Sequence, residues 1–258
     1  MAQLVQRHRC YLKNFFNEGQ HKMKHKLNKL MGGAFVAASM LSVPAVSMAE
    51  EHESMVSISG NAGFMSEYIF RGVHQEESVA NGGLDLSAGG FYTGVWVADV
   101  GADDGNGMEY DLYAGYIYEM ESAYLGAGYT AYRYTEDWDE NYDEINLYAG
   151  ASMDDFSIDL SFSFGEYDGS FTDDPDDQDY TILEVSMGYG GWFANFGSWG
   201  DDAEDLGEYV EFGYGMDIGG LSVSGYIVHN ELEEDSSQDG DDDEQSAVIT
   251  ISWGFDVI

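Results

Sequence analysis

Apolar and polar side chains alternate along most of this chain, beginning near residue 56. The clearest case is the segment FSIDLSFSF, in which Phe156 and every second residue up to Phe164 are apolar, whereas the residues between them are Ser or Asp. A repeat of two is typical of a β-strand with one apolar and one polar face. The same alternation returns around Ile145, Val210 and Ile249.

The alternating segments predict twelve strands. They lie near residues 56–71, 79–88, 91–100, 107–119, 122–134, 141–152, 155–166, 178–189, 191–199, 207–217, 220–230 and 246–257. Most of them reach the length of about 9–11 residues with which a tilted strand crosses a bilayer.

The predicted connections alternate between short and long. The short ones are Gly89-Gly90, Met120-Glu121, Met153-Asp154, Gly190-Gly191 and Gly219-Gly220. The others, including the one that follows residue 71, are longer and rich in Asp and Glu. Short turns at one end and long loops at the other predict an all-β fold, a transmembrane antiparallel up-and-down β-barrel.

A soluble β-sandwich or soluble barrel would also show alternating strands. Three features favour the membrane barrel: the strands are long, the polar face is rich in Gly and Ser, and aromatic residues lie near strand ends on the apolar face. The aromatic residues are Tyr68, Phe70, Tyr116, Tyr118, Trp192 and Trp253. We expect them to form girdles at the two membrane interfaces.

The N-terminal region predicts export. Four lysines between Lys22 and Lys29 precede an apolar run, which ends at the small-x-small triplet Ser47–Ala49. This order is typical of a cleaved signal peptide over 23–49, with an uncleaved N-terminal anchor as the alternative. Residues 1–22 are interpreted as an overextended start or a leader extension, and 50–258 as the barrel. The predicted location is the outer membrane of a Gram-negative bacterium, reached through the periplasm.

The charge is strongly negative, formally −40 for the whole chain. After Lys29 the only basic residues apart from histidine are Arg71 and Arg133, and the only cysteine, Cys10, lies in the leader. Such a charge repels nucleic acid, so the expected partners are outer-membrane lipid, lipopolysaccharide and small solutes or ions. The acidic stretches 173–179 and 239–244 are interpreted as solvated surface, with weak binding of divalent cations as the alternative.

Three segments carry a resemblance to a known family. They are SEYIFRGVHQ (66–75), GGLDLSAGGFYTGVWVADV (82–100) and the stretch 110–137. In the first of them, the matching positions are Ser66, Tyr68, Phe70, Arg71, Gly72 and Gln75. Through them the chain resembles the TorF-like porins, outer-membrane proteins of proteobacteria. The resemblance implies a channel, with small osmolytes among its candidate solutes, and offers no catalytic residues.

Arg71 is the candidate functional residue. On its strand it shares the polar face with Glu67, so it is expected to point into the lumen near the outer mouth, level with Glu109 and Asp111. An arginine can hold such carboxylates together, either as a structural tie or as a constriction that sets selectivity. The other predicted inward acids are Asp85, Glu119, Glu144, Asp159, Glu184 and Glu211.

The inward residues predict a narrow pore that favours cations. Small inward residues such as Gly126, Gly128 and Gly213 are expected to leave room for water, and bulky Tyr113 and Tyr148 to narrow it. The alternatives are a plugged structural or adhesive barrel and an outer-membrane hydrolase. No serine motif accompanies His74 or His229, and no cofactor motif is present, so no enzyme activity and no cofactor are predicted.

Arg133 has the lipid-facing parity at the outer end of its strand. It is interpreted as a snorkelling or loop-bonded arginine, with contact to lipid phosphates as the alternative.

Overall fold

A computed structural model describes residues 56–101, 107–171, 178–231 and 243–258. Within them the chain forms twelve antiparallel strands that close into a barrel, each strand paired with the one before and after it. The strands are β1 Ser57–Phe70, β2 Val73–Ala88, β3 Phe91–Asp99, β4 Met108–Glu119, β5 Ala123–Tyr134, β6 Tyr142–Met153, β7 Phe156–Tyr167, β8 Asp179–Tyr189, β9 Trp192–Asp201, β10 Glu208–Ile218, β11 Leu221–Glu231 and β12 Asp243–Asp256. The predicted all-β transmembrane barrel is confirmed.

The first and last strands close the barrel. β1 pairs with β12 from Ser59 opposite Asp256 to Met65 opposite Thr250. Beyond the paired segment, the amide of Ile58 donates to the carbonyl of Ile258 at 3.0 Å. The two ends of the described chain therefore lie at the same end of the barrel, together with the tight turns. We call this the turn end and the opposite one the loop end.

The connections agree with the sequence pattern except for the first. The five short turns lie where they were predicted, to within two residues. The connection between β1 and β2 was predicted as a long loop, but it is a turn of only Arg71 and Gly72, because β2 already begins at Val73. The only helix in the described ranges is a short 3₁₀ helix, Glu204–Leu206. None there is long and apolar enough to span a membrane.

The outer face of the barrel is apolar. Since side chains alternate along a strand, one parity of every strand faces outward, and large hydrophobic residues on that face are exposed. Examples are Leu84, Leu112, Leu147, Phe212 and Ile227, each between 46 and 62% exposed. So much exposed apolar surface needs a lipid solvent. Near the turn end, Tyr116, Tyr118, Trp192 and Trp253 are exposed on the same face, where a girdle was predicted.

Inside the barrel, tyrosine rings lie against glycines of neighbouring strands. A Cβ atom added to Gly165 would come within 2.0 Å of the Tyr180 ring, and one added to Gly128 within 2.3 Å of the Tyr92 hydroxyl. At Gly213 the side chains of Phe193 and Tyr226 take up the same space. The prediction that inward glycines leave room for water is therefore wrong at Gly128 and Gly213, because aromatic side chains fill the room.

Candidate functional site

The end of the first hairpin leaves the barrel wall. Pairing of β1 with β12 stops at Met65, and pairing of β2 with β3 stops at Asn81. Between these residues, β1 and β2 pair only with each other. We call residues 66–80 the β1–β2 tip.

The tip is bent by local backbone features. A bulge interrupts the pairing of β1 with β2 between Tyr68 and Ile69. The turn residues Arg71 and Gly72 have φ angles of 53° and 84°. Two-residue hairpin turns with positive φ at both positions favour Asn-Gly, since a residue with a large side chain is strained there. An arginine at this position is therefore unusual and suggests that the contacts of its side chain offset the backbone strain.

Arg71 is the centre of a buried ion-pair network and is only 2% exposed. Its guanidinium donates two hydrogen bonds to Glu144 of β6, one of them at 3.1 Å. Its Nε atom lies 3.5 Å from Glu184 of β8. The same carboxylates accept from tyrosines: Tyr180 donates to Glu144 at 2.7 Å, and Tyr209 donates to Glu184 at 2.5 Å. We call Arg71, Glu144 and Glu184 the latch.

The backbone of the turn is also held by the opposite wall. The indole N–H of Trp199 donates to the Arg71 carbonyl at 3.0 Å, and Asn230 donates to the Gly72 carbonyl at 3.2 Å. A Cβ atom on Gly72 would lie 2.6 Å from the Cβ of Tyr209, so only glycine fits against this ring. Because these contacts come from β9, β10 and β11, the tip reaches across the lumen.

A second group of buried acids lies beside the tip without a cation of its own. Tyr68 donates to Glu109 at 3.1 Å, and Glu109 and Asp111 are 1% and 3% exposed. On the other side of the barrel, Glu211 is 0% exposed and accepts from Asn195 at 2.6 Å. Among the described residues, one oxygen of each of these three carboxyl groups has no hydrogen-bond partner. Burying a carboxyl group without its full set of partners is costly, so these positions need an explanation beyond packing.

The structure brings the predicted residues into one region but changes their partners. Arg71, Glu109 and Asp111 are all buried near the loop end, and Glu67 is half-buried on the tip. The ion pairs of Arg71, however, are made with Glu144 and Glu184. Both were predicted as inward acids, but not as partners of Arg71. The sequence does not indicate which carboxylates pair with Arg71, because the pairing depends on how far the tip crosses the lumen.

The lipid-facing positions predicted for Tyr68 and Phe70 are wrong. Tyr68 is buried in the interior against Trp96, and Phe70 packs edge-to-face on Tyr132, with the Arg71 guanidinium 4.7 Å from its ring centre. The bulge and the departure of the tip from the wall carry both rings inward. Neither residue contributes to a girdle in this structure.

Between the tip and the turn end, half-buried acids line the lumen. Tyr113 donates to Asp85 at 2.5 Å, and Tyr124 donates to Asp159 at 2.8 Å. Each of these carboxylates accepts one hydrogen bond from a phenol, and its second oxygen can accept a hydrogen bond from a solute.

Arg133 lies on the outer face and is bonded to its own strand, β5, and to the neighbouring strand β6. It forms an ion pair with Asp143 at 2.7 Å and donates to the carbonyl oxygens of Tyr132 and Tyr142. This agrees with the interpretation of a bonded arginine rather than one that is free for lipid phosphate.

The predicted leader, 1–22 and 23–49, lies outside the described residues, as do most of the acidic stretches 173–179 and 239–244. Signal cleavage and weak divalent binding stay predictions. In the described ranges, no group of three or more His, Cys, Asp or Glu side chains could hold a metal ion.

A bacterial family of unknown function, Gcw_chp, has a model that matches residues 49–252. The chain belongs to this family. No curated protein matches the chain. The TorF-like resemblance is not confirmed by name and stays a prediction.

Several solved porins have a similar overall shape. A KdgM porin in complex with disordered oligogalacturonate is 12% identical, with a TM-score of 0.47, over 77% of this chain and 99% of that one. The NanC porin is 9% identical, with a TM-score of 0.45, over 76% and 97%. OprD from Pseudomonas aeruginosa is 11% identical, with a TM-score of 0.38, over 81% and 67%. The fold assignment rests on the strand pairing itself.

Proposed function

We propose that the protein is an outer-membrane channel that lets small solutes or ions pass, with a modest preference for cations. The observation that carries this proposal is the acidic interior of a barrel with an apolar exterior. Barrels of this kind span the outer membrane, where lipid and lipopolysaccharide would surround the apolar face. The resemblance to the TorF-like porins is consistent with a channel.

The β1–β2 tip is the constriction of the proposed channel. Arg71, Glu109 and Asp111 are buried on and beside the tip, with Glu144 and Glu184 behind Arg71. A solute entering from the loop end meets the tip and its half-buried Glu67. Beyond the tip it passes Asp85 and Asp159. Rings of carboxylates favour cations, and their potential raises the local concentration of positive charge.

The proposed cargo follows from the charges of the latch and of the other lumen acids. Arg71 is balanced by two carboxylates, so it offers little attraction to anions. The half-buried lumen acids Asp85 and Asp159 are bound to phenols and not to cations in the described part of the chain. An acidic lumen repels anions of high charge. Small cationic, zwitterionic or neutral solutes are therefore the proposed cargo.

Reversal potentials in a salt gradient across a planar lipid bilayer test this proposal. Purified protein, shown to be folded by heat-modifiable migration on a gel, should conduct and should reverse at a potential of the cation-selective sign. Anion selectivity would contradict the charge argument. A folded protein that carries no current under any voltage would contradict the channel itself.

A plugged structural barrel is the second candidate. The observation that favours it is the complete burial of Arg71 and the contact of the tip with the opposite wall. The same bilayer measurement separates the two candidates, because a plugged barrel inserts without conductance.

A further inference from the structure

Among the described residues, one edge of β12 has no strand partner over the first part of its length. β12 pairs with β11 as far as Asp243, but its pairing with β1 ends at Thr250. The amide of Ile249 bonds instead to the Ser66 hydroxyl at 2.9 Å. Because N–H groups alternate in direction along an antiparallel strand, the amides of Ala247 and Gln245 also face the side that β1 has left. Free strand edges are templates for pairing.

The register that already joins β1 to β12 can be extended along this edge. The extension would place Tyr68 opposite Ala247 and Phe70 opposite Gln245. Tyr68 and Phe70 would then face outward like Phe64, which shares their parity on β1. Glu67, Ile69 and Arg71 would face the lumen. This is the strict alternation that the sequence of β1 contains and that the bulge interrupts.

The interior position of the tip is strained. Ser78 has a positive φ angle, and the bulge between Tyr68 and Ile69 interrupts the pairing of β1 with β2. For residues other than glycine, positive φ is unfavourable. Several contacts offset this strain: the latch, the hydrogen bonds from Trp199 and Asn230, and the burial of Ile69 and Val79. The tip is thus held both by polar bonds and by apolar packing, in which Tyr68 and Val79 share a buried cluster with Trp96. The polar part centres on Arg71.

We propose that the β1–β2 tip is a gate with two positions. In the interior position, seen here, the tip crosses the lumen and the latch holds it. In the wall position, β1 pairs with the free edge of β12, and the tip extends the barrel wall and no longer crosses the lumen. The hinges are the points at which β1 leaves β12 and β2 leaves β3. The effect of the gate on conduction rests on the proposed channel function, whereas the movement itself does not.

Cysteine pairs can detect the wall position directly. Residues 50–258 contain no cysteine, so the background is clean. Tyr68→Cys with Ala247→Cys, and separately Phe70→Cys with Gln245→Cys, should form disulfides only in the wall position, where facing Cα atoms would be about 5.5 Å apart. Met65→Cys with Thr250→Cys is the control pair, because these residues already face each other.

The latch should control how fast the two test pairs form. Adding Arg71→Gln should raise the rate of disulfide formation by roughly tenfold or more, since it removes the buried cation and its hydrogen bonds. Arg133→Gln, which removes the half-exposed ion pair on the outer face, should leave the rate unchanged. Oxidised test pairs should also show a higher conductance that falls when the disulfide is reduced.

The outcomes separate the two ideas. If the control pair is oxidised completely and neither test pair is, with or without Arg71→Gln, the tip has one position and the gate is wrong. If the test pairs form but the folded protein never conducts, the movement is real and the channel function fails. Two test pairs are used because Tyr68→Cys also removes the bond to Glu109, whereas Phe70→Cys keeps it.

Discussion

Arg71 and Glu144 form an ion pair inside the barrel, although three strands separate β2 from β6 along the wall. Both side chains are almost completely buried. The pair therefore connects two sides of the barrel through its interior, where no backbone hydrogen bond could do so.

Breaking this pair should cost far more than breaking an exposed one. Arg71→Met leaves Glu144 and Glu184 as buried acids without a cation, and losses of about 3–5 kcal/mol are typical of that situation. Arg133→Met removes a half-exposed pair and should cost about 1 kcal/mol or less. Urea unfolding in lipid vesicles, followed by tryptophan fluorescence, measures both.

A double-mutant cycle then isolates the interaction. Glu144→Gln combined with Arg71→Met should be less destabilising than the sum of the two single changes, because the second change removes a charge that the first one stranded. Additive losses would show that the buried pair is not coupled and would contradict its role as a latch.

The glycine contacts predict a sharp difference between two Gly→Ala substitutions. Gly165→Ala would push the Tyr180 ring away from its place and weaken the bond between Tyr180 and Glu144, so we expect a loss of about 1–3 kcal/mol. Gly225→Ala meets only a backbone oxygen at 3.9 Å and should change stability by no more than about 0.5 kcal/mol. Equal effects would mean that the interior is not packed as described.

Selectivity should depend on the acids between the tip and the turn end. Asp85→Asn and Asp159→Asn each remove one negative charge from the lumen while leaving an acceptor for the phenol of Tyr113 or Tyr124. We expect the ratio of cation to anion permeability to fall with each change and further in the double variant. Asp143→Asn on the outer face is the matched control and should leave the reversal potential in place.

The orientation in the membrane can be tested with single cysteines. Glu140→Cys lies in an exposed loop at the loop end, and Asp155→Cys in an exposed turn at the turn end. Long loops face outward in barrels of the outer membrane, so a reagent that cannot cross the membrane should label Glu140→Cys on whole cells and spare Asp155→Cys. The reverse pattern would invert the topology.

The wall of the barrel could be predicted from the sequence because side-chain parity is a local property. The sequence neighbours of Ile158 and Ser161 are enough to show which face of the strand each side chain occupies. The composition at Gly89 and Gly190 is enough to show that the chain turns there. The five tight turns therefore lie where they were predicted, to within two residues, and the twelve strands lie near the predicted segments, except that β2 begins six residues earlier.

The interior could not be predicted because it depends on distant contacts. Nothing near Tyr68 in the sequence indicates that its strand leaves the wall, since its parity is that of a lipid-facing residue. The one local signal is the pair Arg71-Gly72, in which a glycine follows the only inward arginine. Such a pair permits a two-residue turn, but whether the turn enters the lumen is decided by Trp199, Asn230 and the latch acids.

The contacts of the β1–β2 tip also constrain the order in which the molecule can assemble. Trp199 and Asn230 lie 128 and 158 residues away from the turn residues that they bind. Loops of this length make contact formation slow, and the barrel cannot close until β12 meets β1. The hairpin at the start of the chain can therefore settle only after β9 and β11 are in place. The constriction is among the last parts of the protein to form, because a barrel without β9 and β11 lacks both side chains that bind the backbone of the turn.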